Sequence, residues 1–229
     1  MTGMLASVNS LIEARLVLQV GVDIIDLKQP DQGALGALAL VDVKEIVAEV
    51  NSRCPVSATI GDLPLQAQAV YNATKAMAET GVDYVKIGFF PGGDWQTTLD
   101  KLSRLAVNYK LIAVLFADTQ PDFSMLSALK TAGFTGVMVD TMNKSGGSLT
   151  QLMSEQGLSA FVKQAREYDL LCGLAGSLRL ADISFLLTYK SDYLGFRGAL
   201  CQAHDRIGQL DRTAVQTIKD LISLSHNTY

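Results

Sequence analysis

Four residues in otherwise apolar strand candidates have the types and spacing to do chemistry together: Asp26, Lys28, Lys86 and Asp140. The stretch DIIDLKQPDQGALG, residues 23–36, places a carboxylate and a lysine two apart where a buried strand should end. A buried lysine is costly unless paired, and desolvation or a neighbouring ammonium lowers its pKa. The free amine so produced can attack a carbonyl and form a Schiff base. Flanking carboxylates can hold the remaining charge and move protons. Side chains of a strand alternate in direction, so if Ile25 and Leu27 face covering helices, Asp26 and Lys28 face the other way. The same parity turns Lys86 inward between Val85 and Ile87, and Asp140 inward after Val137 and Val139. Lys144 follows Asp140 by four residues on a loop containing SGGS, residues 145–148, which could close over a ligand or simply cap a helix. A set of buried ion pairs that only close the fold is the competing explanation. Two lysines and two aspartates at strand ends favour catalysis over it.

A second constellation lies near the C-terminus. LAGSLR, residues 174–179, and GFRGAL, residues 195–200, follow the last two strand candidates. Gly176 and Gly198 would allow close backbone approach to a phosphate, Ser177 could donate a hydroxyl, and Arg197 would add charge. GDLPL, residues 61–65, brings Asp62 to the same rim, either as loop geometry or as a ligand contact. His204 and His226 are not spaced as a metal pair, and His204 reads as a loop residue. Trp95 begins a helix and packs.

The elements that must position these residues follow from periodicity. Short Val- and Ile-rich runs at 4–7, 23–26, 56–60, 83–88, 111–117, 136–140, 171–175 and 193–197 read as strands. Helical periods fall between them at 9–20, 40–50, 65–80, 95–109, 123–131, 149–168, 179–188 and 214–223. In the second helix, Val43, Ile46, Val47 and Val50 form one stripe, with Asp42, Lys44, Glu45 and Glu49 turned to water. Gly21, Gly81 and Gly133 mark helix ends. Strand-then-helix units with near-continuous apolar strands imply a parallel sheet covered by helices. Eight of them in 229 residues fit a single α/β domain spanning 1–229, a closed (β/α)8 TIM barrel. An open doubly wound sheet is the alternative, but no GxGxxG follows the first strand. In a barrel, strands two, four and six share interior layers, so Asp26, Lys28, Lys86 and Asp140 are expected to meet at its C-terminal mouth.

Bulk properties narrow the function classes. A composition 48% hydrophobic and 18% charged supplies a large core and excludes disorder. The net charge of −4 argues against nucleic acid or an anionic membrane surface as partner. No apolar stretch approaches the roughly 20 residues of a membrane span, and the N-terminus lacks the pattern of a signal peptide. The expectation is a soluble, cytoplasmic protein; the sequence leaves a homo-oligomer open. Cys54, Cys172 and Cys201 are widely spaced and form no CxxC or Cys/His cluster, so reduced packing thiols are expected and a metal site is not.

The blocks DIIDLKQPDQGALGA, VSATIGDLP, DYVKIG and MVDTMNKSG resemble the (5-formylfuran-3-yl)methyl phosphate synthase family of methanofuran biosynthesis. The likeness runs in order through most of the chain and is strongest in the first 150 residues; GALCQAHDR, residues 198–206, resembles the family only loosely. The resemblance implies a (β/α)8 barrel with no metal or organic cofactor. The implied reaction condenses two molecules of a triose phosphate, glyceraldehyde 3-phosphate, into a furan aldehyde phosphate with loss of phosphate and water. It also implies that Lys28 forms the Schiff base, that Asp26 is its partner, and that Lys86, Asp140 and Lys144 complete the catalytic set. Two other readings compete. Asp26, Lys28 and Asp31 match D-x-K-x-x-D, which resembles the orotidine-phosphate decarboxylase group, where the lysine donates a proton and no imine forms. A non-catalytic sugar-phosphate sensor would need the phosphate loops but no reactive lysine.

Overall fold

A computed structural model describes residues 1–224; His226 lies outside the described residues. Eight strands alternate with helices: β1 (Gly3–Val8), β2 (Ile24–Leu27), β3 (Val56–Thr59), β4 (Tyr84–Gly88), β5 (Lys110–Phe116), β6 (Gly136–Asp140), β7 (Leu171–Leu174) and β8 (Tyr193–Phe196). The described helices are α1 (Leu11–Val20), α2 (Leu40–Val50), α3 (Ala67–Ala78), α4 (Trp95–Ala106), α5 (Met125–Thr131), α6 (Leu149–Leu152), α7 (Glu155–Glu167), α8 (Leu180–Leu187) and α9 (Arg212–Leu224). The strands pair in parallel in chain order, and β8 pairs back with β1 to close the barrel.

Local chemistry sets the boundaries. Ser10 caps α1 by accepting the Glu13 N–H, and the Glu13 carboxylate returns to accept the Asn9 N–H. Gly21 ends α1 at φ 80°, a left-handed position that suits glycine. The single helix expected over 149–168 is two. Met153 is extended between them, and the Ser154 hydroxyl accepts the Gly157 N–H to start α7 afresh. A capping serine outweighed an uninterrupted apolar period.

Two apolar clusters divide the core. The larger lies between sheet and helices and takes Ile25, Leu27, Val85, Ile87, Val137 and Val139 from their strands, as parity requires. The smaller fills the barrel and includes Leu5, Ile112, Val114, Phe116 and Met138. Each strand steps up by about one residue on its neighbour in such a barrel. Asp26 pairs with Ser57, and Ser57 with Tyr84, so the residue level with Asp26 is Lys86. Continuing round the even strands puts Asp26, Lys86, Met138 and Gly195 in one interior layer. Lys28, Gly88, Asp140 and Arg197 occupy the layer above it, at the C-terminal end. A Cβ at Gly195 would stand 3.0 Å from the Ala175 Cβ, so glycine there preserves space inside the barrel.

The three cysteines are free and buried. Burial pushes their thiols up, to about 11 at Cys54 and Cys201 and about 12 at Cys172, which leaves them inert. No helix among the described residues is long and apolar enough to cross a membrane.

Candidate active site

Asp26 is fully buried on β2. Its Oδ2 accepts the Ser7 hydroxyl at 2.8 Å, and its Oδ1 accepts the Ser57 hydroxyl at 2.7 Å and faces Lys86 Nζ at 3.0 Å. Burial alone would raise this carboxyl, but Lys86, Lys28 and the Ser57 hydroxyl outweigh it and hold the group below its usual range. Lys86, 2% exposed on β4, thus forms with Asp26 a closed ion pair on the floor of the site.

Asp140 closes β6 at the rim. Its Oδ1 accepts Lys144 Nζ at 2.6 Å and the Thr141 N–H at 2.7 Å, while its Oδ2 turns towards Lys28 Nζ, 3.9 Å away. Burial works against the charge here too, yet Lys144 and Lys28 keep the carboxyl well below the ordinary carboxylate range. Asp118 steadies the loop that carries Lys144, its two oxygens accepting the N–H groups of Met142 and Asn143.

Lys28 lies between these two pairs and hydrogen-bonds to neither carboxylate, meeting Asp140 only at 3.9 Å. Burial is the main cause that brings its pKa down to about 8. The ammonium groups of Lys144 and Lys86 add to the fall, and Asp140 and Asp26 oppose it. The arrangement therefore contains one amine poised to be free near neutrality, with a charged pair on either side.

Lys28, Lys86, Asp140 and Lys144 line a cavity of about 260 Å³ together with Gly176, Ser177, Arg197 and Gly198. Gly176 has φ 116°, and a Cβ there would meet Thr141 Cγ2 at 2.7 Å. The Ser177 hydroxyl donates to the Lys144 carbonyl at 3.2 Å, tying the loop after β7 to the loop after β6. His204 is exposed at the same mouth.

Two residues expected at the ligand have other work. Asp62 does not line the cavity. Its oxygens accept the Ala34 and Leu35 N–H groups at 2.8 and 2.7 Å, so it holds the loop after Lys28. The alternative of loop geometry applies there. Arg197 lines the cavity, but all five of its N–H groups are taken. Nε and Nη2 donate to the Arg206 and Gly208 carbonyls, Nη1 to the Ser7 carbonyl, and both terminal nitrogens to Glu13. It is a buried structural cation with no donor left for a phosphate.

Sequence reasoning missed the groups that orient the others. Ser7 and Ser57 were findable as inward polar residues in apolar strands. Glu13, a carboxylate in the first turn of α1, carried a capping signal only. Arg179 and Arg206 line the cavity from irregular segments, where no periodicity points inward. Asp31, the third member of the D-x-K-x-x-D match, is exposed and does not line the cavity. Among the described residues no group of three or more His, Cys, Asp or Glu could hold a metal ion.

Residues 4–219 match the family described as 4-HFC-P synthase. The chain is 44% identical over 212 residues to a protein of Methylorubrum extorquens provisionally named (5-formylfuran-3-yl)methyl phosphate synthase, covering 93% of this chain and 88% of the relative. It is 31% identical over 231 residues to the (5-formylfuran-3-yl)methyl phosphate synthase of Methanocaldococcus jannaschii, covering 95% and 98% of the two chains. Among solved structures, phosphoribosyl anthranilate isomerase from Thermus thermophilus superposes with a TM-score of 0.69 at 13% identity, covering 98% of this chain and 100% of the other. KGPDC from Streptococcus mutans gives a TM-score of 0.68 at 15% identity, covering 97% and 98%. At these identities the two structures establish a shared barrel and nothing finer.

Proposed function

The chain belongs to the 4-HFC-P synthase family, and from that premise we propose that it condenses two molecules of glyceraldehyde 3-phosphate into (5-formylfuran-3-yl)methyl phosphate through a Schiff base on Lys28. The observation that carries this reading is the Lys28 amine: buried in the cavity wall, outside hydrogen-bond reach of Asp140, and lowered to about 8. An ordinary lysine at 10.5 has about 3 free amines in 10,000 at pH 7, whereas one at 8 has about one in ten, a gain of about 300-fold in nucleophile.

The reaction begins as the amine attacks the carbonyl carbon of one triose phosphate. A C–N bond forms and the carbonyl oxygen departs as water. The iminium then draws electrons from the adjacent C–H bond, whose proton leaves to a base, and the resulting enamine carbon attacks the aldehyde carbon of the second triose. Elimination of one phosphate and of two waters, closure of the ring through a hydroxyl and hydrolytic release of Lys28, which takes back the water lost when the iminium formed, complete the sequence. The sum is two triose phosphates giving one furan aldehyde phosphate, one phosphate and two waters, with no oxidant or reductant.

The charges suit these steps. Asp140, held far below its usual range, is a weak base and a strong counter-charge, so its part is to stabilise the iminium. Lys86 and Lys144 are the ammonium groups nearest that centre and can donate and recover protons. The product would feed a methanofuran-type one-carbon carrier. The decarboxylase-like reading loses its second aspartate with Asp31 on the surface, and a sensor has no use for a lysine lowered to about 8.

Reduction with borohydride in the presence of glyceraldehyde 3-phosphate tests the proposal. Mass spectrometry is expected to place a reduced triose adduct on Lys28, and furan formation to vanish in Lys28→Arg. An adduct on another lysine, or full furan synthesis by Lys28→Arg, would sink the assignment.

A further inference from the structure

Like Arg179, Arg206 is a cation at this mouth with no carboxylate within ion-pair distance among the described residues, and Arg206 is the one whose guanidinium bonds to the loop after Lys28. It lies in the loop between β8 and α9, half-buried, and lines the same cavity as Lys28. Its Nη1 donates to the Pro30 carbonyl and its Nη2 to the Gly33 carbonyl at 3.0 Å, which fixes the guanidinium across the loop that follows Lys28. Those bonds use two of its five N–H groups. No carboxylate among the described residues stands within ion-pair distance. Of the acidic neighbours that act on it, Asp140, Asp62 and Asp31, none comes within ion-pair distance, and Asp62 spends both oxygens on backbone N–H groups. Arg197 shows the contrast, being paired with Glu13 and fully bonded.

A partly desolvated guanidinium without a counter-ion is unfavourable by itself and becomes favourable when an anion arrives. Burial does lower this group's affinity for its proton, with Asp140 pulling the other way. A Cβ at Gly198 would lie 3.6 Å from Arg179 Nη1 and 3.7 Å from the Arg206 Cβ, so Gly198 sits between two arginines. Arg197 donates to the carbonyls of Arg206 and Gly208, at 2.8 and 2.9 Å, and so holds the segment from which Arg206 projects.

We propose that Arg206 is a ligand for a substrate phosphate, that it selects phosphorylated over free trioses, and that the buried Arg197–Glu13 pair is the positioning support behind it. The inference rests on the triose-phosphate reading above and names the residue that would carry its specificity.

The test compares wild type with Arg206→Gln in three measurements. Inorganic phosphate is expected to raise the Tm of wild type and not of the variant. KM for glyceraldehyde 3-phosphate is expected to rise about 10- to 100-fold with kcat nearly unchanged, as for loss of one charged contact made equally in ground and transition states. Borohydride trapping of unphosphorylated glyceraldehyde on Lys28 is expected to be equal in both proteins, which a variant with a misplaced Lys28 loop would not show. The inference is overturned if wild type gains nothing from phosphate, if the variant keeps the phosphate effect and KM, or if it loses glyceraldehyde trapping. Should wild type form neither furan nor imine, the synthase reading fails while the phosphate measurement still decides Arg206. If Arg206→Gln does not fold, Arg206→Lys, which loses the planar fork, carries the same comparison.

Discussion

Lys28 Nζ and Asp140 Oδ2 face each other across the barrel mouth at 3.9 Å, outside hydrogen-bond length and well inside each other's field. Asp140 gives its short bond to Lys144 instead, at 2.6 Å. The carboxylate thus restrains the fall in the Lys28 pKa without trapping the amine in a tight pair. A direct bond between them would hold the proton on Lys28. Complete separation would leave the proposed iminium without a counter-charge.

This geometry predicts a pH profile and the direction in which two substitutions move it. If Lys28 is the proposed Schiff-base nucleophile, its reactive form is the free amine, and kcat/KM should rise with pH and level off above about 8. Asp140 raises the Lys28 pKa and Lys144 lowers it. Asp140→Asn should therefore move the rising limb to lower pH while reducing the plateau, and Lys144→Gln should move it to higher pH. Shifts of the same sign in both variants would refute the arrangement. The same lowered pKa makes a stability prediction. Between about pH 8 and 10.5 the folded state has shed a proton that the unfolded chain keeps, so stability should rise with pH across that window. Below it the protein carries the full cost of the buried charge. Lys28→Met should then be more stable than wild type at pH 7, on the order of 3 kcal/mol at most, and inactive, as read by urea unfolding.

The convergence of Asp26, Lys28, Lys86 and Asp140 was legible in the sequence because strand parity is a rigid rule. Ile25 and Leu27 cannot both face the helices unless Asp26 and Lys28 face inward, and the shear of the barrel then brings Lys86 and Asp140 to them. Strand ends were readable to within about two residues for the same reason. What could not be read came from irregular backbone. Arg197 follows a strand and looked like a free charge, because nothing in its neighbourhood announces that Glu13, on α1 at the opposite end of the chain, will absorb it. Asp62 posed the same ambiguity, resolved only by the Ala34 and Leu35 N–H groups it meets. The break at Met153 was hidden beneath a continuous apolar period, although the two serines at 148 and 154 were each in capping position.

The floor of the site predicts a strong coupling between Asp26 and Lys86. Asp26→Asn keeps partners for the Ser7 and Ser57 hydroxyls but leaves the Lys86 ammonium buried without its counter-charge. Removing one member of such a pair costs about 3–5 kcal/mol. The double variant Asp26→Asn/Lys86→Met removes the stranded charge as well, and should recover much of that loss. Equilibrium unfolding of the two single variants and the double gives the coupling energy. A value near zero would mean that the ion pair seen at 3.0 Å does not hold the floor together.

The Glu13–Arg197 pair sits behind the cavity wall, where structural and binding roles can be separated by their effects on different quantities. Arg197→Met strands the Glu13 carboxylate, 7% exposed in the native fold, and should lower stability by about 3–5 kcal/mol. Glu13→Gln in addition should return part of it, because glutamine can still accept the Asn9 N–H. Loss of Arg197 also frees the carbonyls of Arg206 and Gly208, so the segment bearing Arg206 loosens and KM should rise. Were Arg197 itself a phosphate ligand, that rise would add to the effect of removing Arg206. With Arg197 acting only through the placement of Arg206, the two effects cannot add: in an Arg206→Gln background, Arg197→Met should leave KM unchanged while still lowering stability. Additive KM effects in that cycle would restore a direct phosphate contact to Arg197 and remove the positioning role.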